Sequence, residues 1–171
     1  MLIVIEGPNG AGKSTLIDYL IDNYKAKTYH FSKDTDNSFK GHLSKLSEMY
    51  FAEELWIWDR GNLGESIYPI LWNRQSAMTD IEKFTLYKVQ ECLNIPIIVF
   101  YSSNFETLKE RLFKRGDEQY VLDTIETENQ LWQELAHRLS VNHNNIFHID
   151  IYKEIDQIKC FEELNNKNNW I

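Results

Sequence analysis

Gly7-Pro8-Asn9-Gly10-Ala11-Gly12-Lys13-Ser14 is the stretch whose reading decides the fold. It has the spacing GxxxxGK[ST], in which glycines let successive backbone N–H groups converge on phosphate oxygens. The preceding run Leu2–Ile5 is apolar at odd and even positions alike, the pattern of a strand buried on both faces. Beyond it, Leu16, Tyr19 and Leu20 recur at helical spacing, so a helix opens near Lys13 and adds its positive end to the cradle. Lys13 then reaches the β- and γ-phosphates of a nucleoside triphosphate, and the Ser14 hydroxyl suits a magnesium ligand. The plain alternative is a glycine-rich strand-to-helix turn that binds nothing.

Working outward, Leu55–Trp58 and Ile97–Tyr101 repeat the doubly buried pattern, and Lys27–Phe31 and Asn145–Ile149 are weaker strand candidates. Phe105, Leu108 and Leu112 mark a helix that starts after Ser103 or Asn104 and ends at Gly116. Ile125, Trp132, Leu135 and Leu139 mark the next one. Strands alternating with helices predict a three-layer α/β domain of the P-loop NTPase type. It has a parallel sheet of about five strands with helices on both faces. One domain spans 1–171, and the polar stretch Asn165–Asn169 is expected to fray unless Trp170 and Ile171 dock.

Composition narrows the partners. With 171 residues and a formal charge of −8, the chain suits one domain and lacks the basic face that coating nucleic acid requires. Two cysteines without a CxxC exclude a disulfide framework, and the five histidines show no paired-ligand spacing, so no zinc is expected. No apolar run approaches the length of a membrane span, and Met1–Ile5 lacks the basic start of a signal peptide. These features predict a cytoplasmic protein without nucleic-acid or membrane partners and leave a homodimer open.

Phosphoryl transfer needs further cations, and the arginines are few: Arg60, Arg74, Arg111, Arg115 and Arg138. Asp59-Arg60 ends the Leu55–Trp58 strand, and ligands of open α/β sheets bind at carboxyl strand ends. Asp59 is therefore expected to hold magnesium through water and Arg60 to grip phosphate, unless the two merely pair at the surface. Arg111 and Arg115 share one helix flank beside Gly116-Asp117-Glu118, where they either close over a triphosphate or neutralise the helix end. Trp72 and Arg74 form an aromatic-plus-cation stretch that suits a base or an ordinary helix surface. Arg138 reads as solvated.

Ile5–Thr15 resembles the P-loop of thymidylate kinases and their relatives. Asp59-Arg60 followed by Ser66 and Tyr68 is similar to a second segment of that family. Strand Ile97–Tyr101, the helix to Arg115 and the stretch after it resemble the strand, helix and LID of nucleoside monophosphate kinases, which puts a mobile LID at 116–123. The compact length resembles that of the small deoxynucleoside monophosphate kinases of bacteriophages. The resemblance implies transfer of the ATP γ-phosphoryl group to a (deoxy)nucleoside 5′-monophosphate with Mg2+. It assigns Gly7, Asn9, Gly10, Ala11, Gly12, Lys13, Ser14 and Thr15 to the donor, and Ser14 with Asp59 to the metal. Catalytic charge falls to Lys13, Arg60, Arg111 and Arg115, and the acceptor to Lys33, Arg60, Tyr68, Trp72 and Arg74.

Three departures bear on the acceptor. The family often has an acid where Asn9 stands. Its proline-and-arginine segment is replaced by Tyr29-His30-Phe31-Ser32-Lys33-Asp34, which leaves Lys33 as the nearest cation. No arginine precedes Arg60, so none meets the base from that side. Three other functions stay open: a deoxynucleoside kinase acting on the 5′-hydroxyl, a polynucleotide kinase, and a nucleotide-binding protein without turnover. The first needs a carboxylate base, for which Glu6, Asp34 and Glu65 are available.

Overall fold

A computed structural model describes residues 1–32, 35–154 and 156–171. Strands β1 (Leu2–Glu6), β2 (Lys27–His30), β3 (Trp56–Asp59), β4 (Ile97–Tyr101) and β5 (Ile146–Asp150) form one parallel sheet in the order β2-β3-β1-β4-β5. Each strand lies within one residue of its expected position. The sequence pattern explains the order: β4 and β1, apolar up to its last residue Glu6, are fully buried in the centre, whereas the mixed β2 lies at an edge.

Alternate residues of β1 feed two cores. Leu2 and Val4 pack with Trp58, Leu46, Met49 and Trp132 on one face, and Ile3 and Ile5 with Leu16, Leu20, Phe100 and Phe161 on the other. Helices α1 (Lys13–Tyr24), α5 (Phe105–Arg115) and α7 (Gln157–Asn168) contribute to the second core. The first core takes side chains from α2 (Phe39–Tyr50), α4 (Asp80–Cys92) and the long α6 (Gln119–Asn142). The two helices α2 and α4, absent from the sequence expectation, open at side-chain caps on Ser38 and Thr79, the latter in a capping box with Glu82. A 3-10 turn (Asn62–Ser66) and the single turn α3 (Tyr68–Leu71) follow β3.

One segment agrees with expectation and one differs. The loop Gly116-Asp117-Glu118 joins α5 to α6: Gly116 caps α5 at φ 82°, and α6 is helical from Gln119, which donates to Asp123 at 2.8 Å. Asn165–Asn169 does not fray as a polar tail. It lies in the last turn and cap of α7, with Asn165 buried and accepting from the Ile171 amide at 3.0 Å, and Trp170 packed on Phe147.

The turn from β1 into the loop is sterically tied to β4. Gly7 has φ 134°, and a Cβ there would sit 2.5 Å from the Phe100 carbonyl oxygen. Gly7→Ala is therefore expected to cost at least about 2 kcal/mol of stability, read as a lowered Tm in thermal denaturation.

Candidate active site

The carboxyl ends of β1 and β3 deliver the chemistry. Their register sets Ile5 beside Asp59, so the Gly7–Gly12 loop and Arg60 leave the sheet side by side. A cavity of about 490 Å³ opens there, lined by Asn9–Thr15, His30, Asp59, Arg60, Arg111, Arg115 and Gln157. A second cavity, of about 830 Å³, lies across Arg60 and His30, which line both.

Lys13 starts α1 behind Gly12, whose φ of 86° only glycine adopts freely. Its Nζ donates to the carbonyls of Gly7 and Pro8, both at 2.7 Å, positions that phosphate oxygens can replace. Burial, reinforced by the Arg60 charge, pulls Lys13 down to about 8. Glu6 lies wholly buried at the root of the loop. Its Oε1 accepts from the Leu63 amide at 2.9 Å, and burial pushes its carboxyl up to about 8.

Arg60 is held in an unusual way. Its φ is 59°, a left-handed conformation that is unfavourable for a residue with a Cβ, and its amide donates to the Ile5 carbonyl at 3.0 Å. Nη2 donates to Asn9 Oδ1 at 2.7 Å and Nη1 to the Tyr68 hydroxyl at 3.1 Å. Glu128 closes the ring: it accepts from the Tyr68 hydroxyl at 3.2 Å, and from the Asn9 amide and side chain, both at 3.3 Å. Burial pushes the Glu128 carboxyl up, while Lys13 and Arg60 draw it down. An aspartate at position 9 would set a second carboxylate against Glu128, so asparagine fits this ring where an acid does not. Glu128 was legible as an acid interrupting the stripe Ile125–Trp132–Leu135–Leu139, and that signal was passed over.

Asp59 Oδ2 takes a 2.7 Å contact from His30 Nδ1, a residue the sequence reading set aside with the other histidines. Asp59 Oδ1 is buried with no hydrogen-bond partner among the described residues. With the Ser14 hydroxyl lining the same cavity, this orphaned oxygen fits a hard cation held by oxygen ligands. Among the described residues, no group of three or more His, Cys, Asp or Glu side chains forms a metal cluster.

Arg111 and Arg115 do reach the first cavity. Arg111 Nη1 lies 3.5 Å from the Gly10 carbonyl, while Arg115 forks onto Asp117 through two bonds of 2.7 Å. Tyr68, Trp72 and Arg74 line the second cavity, with Trp72 stacked on Tyr68 at 4.7 Å between ring centroids. Lys33 and Asp34 lie outside the described residues. Ser66 turns from the cavities to bond the Tyr87 hydroxyl at 3.0 Å.

No family model matches the chain. Guanylate kinases of Clostridium perfringens strains 13 and SM101 are each 26% identical over 135 residues, 69% of this chain. The chain spans 62% of the length of these relatives. Among solved structures, the YorR protein from Bacillus subtilis, in complex with phosphorylated GDP, matches with a TM-score of 0.70 at 19% identity, over 97% of this chain and 96% of that one. Deoxyadenosine kinase from M. mycoides with bound dATP matches with a TM-score of 0.63 at 20% identity, over 97% and 100%. The fold is that of P-loop kinases. No helix among the described residues is long and apolar enough to cross a membrane.

Glu6 offers a test of the buried electrostatics. The folded protein holds its proton to about pH 8, against an ordinary value of 4.5, so between these limits folding stability falls as pH rises. Glu6→Gln keeps an acceptor for Leu63 and does not titrate. Its Tm relative to the parent is expected to climb across that window. A constant difference would mean that Glu6 is already ionised in the fold.

Proposed function

We propose that the protein is an ATP-dependent nucleoside monophosphate kinase, which moves the γ-phosphoryl group of ATP onto the 5′-phosphate of an acceptor nucleotide. The observation that carries this reading is the place of Arg60. Its guanidinium stands on the boundary of the two cavities, fixed by Asn9 on one side and Tyr68 on the other. A phosphate in the second cavity and the γ-phosphate in the first would both lie against one cation, the requirement of a transfer between two anions.

The loop residues Gly7, Asn9, Gly10, Ala11, Gly12, Lys13, Ser14 and Thr15 hold the donor phosphates in this scheme. Magnesium, held by Ser14 and Asp59, supplies neutralisation of phosphate charge when bound. Arg111 and Arg115 approach from the α5 side, and Arg115 exchanges its Asp117 partner for the transferring group as the segment around 116–123 closes. Tyr68, Trp72 and Arg74, with Lys33, serve the acceptor.

A kinase acting on a 5′-hydroxyl would need a free carboxylate at the second cavity. Glu6 lines neither cavity and Glu65 is committed to Arg74, Ser76 and Ala77, which leaves Asp36 as the acid of the second cavity for that reaction, with Asp34 outside the described residues. The guanylate kinase relatives support a monophosphate acceptor, as does the resemblance of Ile5–Thr15 and Asp59-Arg60 to segments of thymidylate kinases. A single cytoplasmic domain working on small molecules, as a monomer or homodimer, suffices for this reaction.

ADP release coupled to a panel of nucleosides and their monophosphates tests the reading: turnover is expected with a monophosphate and not with the matching nucleoside. Turnover on nucleosides alone would replace it with the hydroxyl-directed reaction. Lys13→Ala is expected to abolish transfer while the protein stays folded by circular dichroism. Arg115→Ala should lower kcat about a hundredfold or more with little change in the KM for ATP, as befits a contact made chiefly in the transition state. A raised KM at constant kcat would assign Arg115 to ground-state binding.

A further inference from the structure

The second cavity carries more information than the acceptor's phosphate alone. Its walls are aromatic: Phe31, backed by His42 at 4.2 Å between stacked rings, and the Tyr68–Trp72 pair. Flat apolar walls of this kind suit a nucleobase. Its polar groups are unevenly arranged, and that arrangement is selective.

Glu65 is buried and fully engaged. Its Oε1 takes Arg74 Nη2 at 2.7 Å, and Oε2 takes the Ala77 amide at 2.9 Å, Ser76 Oγ at 3.2 Å and Arg74 Nη1 at 3.4 Å. Burial pushes its carboxyl up, yet the bonds from Arg74, Ala77 and Ser76 hold it below its ordinary value, so it stays an acceptor-only anion. Glu65 therefore fixes Arg74 end-on. Arg74 Nη1 spends its second proton on the Gln75 carbonyl at 3.0 Å. That leaves Nε–H and one Nη2–H, the side edge of the guanidinium, without an acceptor among the described residues. A preformed edge of two parallel donors asks for two adjacent acceptors.

Asp36, which lines the same cavity, accepts from the Ser38 amide through Oδ1 at 3.0 Å. The cavity thus offers a two-donor edge and a carboxylate. Guanine presents two adjacent acceptors, O6 and N7, and on another edge two adjacent donors, N1–H and the 2-amino group. Thymine and uracil place a donor between their carbonyls, and adenine sets an amino group beside N7. Cytosine has adjacent acceptors but a single donor group next to them.

Resting on the monophosphate kinase reading, we infer that the acceptor is a guanine nucleotide. Arg74 is the specificity-determining residue that reads O6 and N7, and Glu65 is the residue that positions it. The inference adds a substrate class to the reaction and leaves its chemistry unchanged.

Steady-state kinetics with GMP, dGMP, dAMP, dCMP and dTMP at saturating ATP test it in the parent enzyme, Arg74→Ala and Arg74→Lys. Guanine monophosphates are expected to give the highest kcat/KM. Arg74→Ala should lower that value about tenfold or more while leaving the KM for ATP unchanged. Arg74→Lys keeps the charge beside Glu65, and so the fold, but lacks the two-donor edge. It should lose the guanine preference at an unchanged Tm. A parent enzyme that prefers thymine, adenine or cytosine overturns the inference and leaves the kinase reading standing. A guanine preference that survives in Arg74→Lys removes Arg74 as the reader. Turnover with no monophosphate at all defeats both.

Discussion

Two cations, Lys13 and Arg60, are brought together out of bulk water at the ends of β1 and β3, and the rest of the site is arranged to make that tolerable. Like charges at short range in a low-dielectric setting repel, and burial alone disfavours the protonated lysine. Asp59 at the end of β3 and Glu128 from α6 answer this, each favouring the charged form of Lys13, while Glu6 below the loop keeps its proton to about pH 8. None of the three binds Lys13 directly. Its bonds go to the Gly7 and Pro8 carbonyls, weak partners for an ammonium group, which leaves it ready to move to phosphate.

The same constraint explains the stranger features of the backbone. Arg60 accepts a left-handed φ of 59° because its side chain is captured at both ends of the guanidinium, by Asn9 and Tyr68, and because Glu128 fixes those two in turn. Strain at one residue is thus supported by bonds from three elements that are distant in sequence: the P-loop, the turn at α3 and the middle of α6. Such a ring holds a cation at a defined point between two cavities before any ligand arrives, which is the preorganisation that electrostatic catalysis requires.

Much of the fold was legible because the central strands bury both faces. Leu2–Ile5 and Ile97–Tyr101 cannot be placed at a solvent-facing edge, and the loop motif then sets direction and handedness. The shape of the loop was legible because its backbone needs glycine: Gly7, Gly10 and Gly12 all have positive φ. What escaped notice depended on tertiary contact. Glu128 lay in an apolar helical stripe and was passed over among its core neighbours, although a buried acid there demands partners. His30 gave no spacing signal, because its partner Asp59 lies on the neighbouring strand. The loop Gly116-Asp117-Glu118 was legible from its glycine, while the start of α6 at Gln119, where the side chain pairs with Asp123, carries no capping signal in the sequence. Helices α2 and α4 were legible too, since Phe39, Leu43, Leu46, Met49 and Tyr50 recur at helical spacing and Thr79 with Glu82 is a capping box in the sequence itself.

The central claim is that both cavities hold phosphate groups against one shared arginine. Calorimetric binding of a bisubstrate compound, adenosine and guanosine joined 5′ to 5′ through five phosphates, tests it most directly. The account predicts that this compound binds much more tightly than ATP or GMP alone, and that Arg60→Lys removes most of the gain, because lysine cannot keep both hydrogen bonds of the guanidinium fork. Affinity no better than that of ATP, with no dependence on Arg60, would contradict the account.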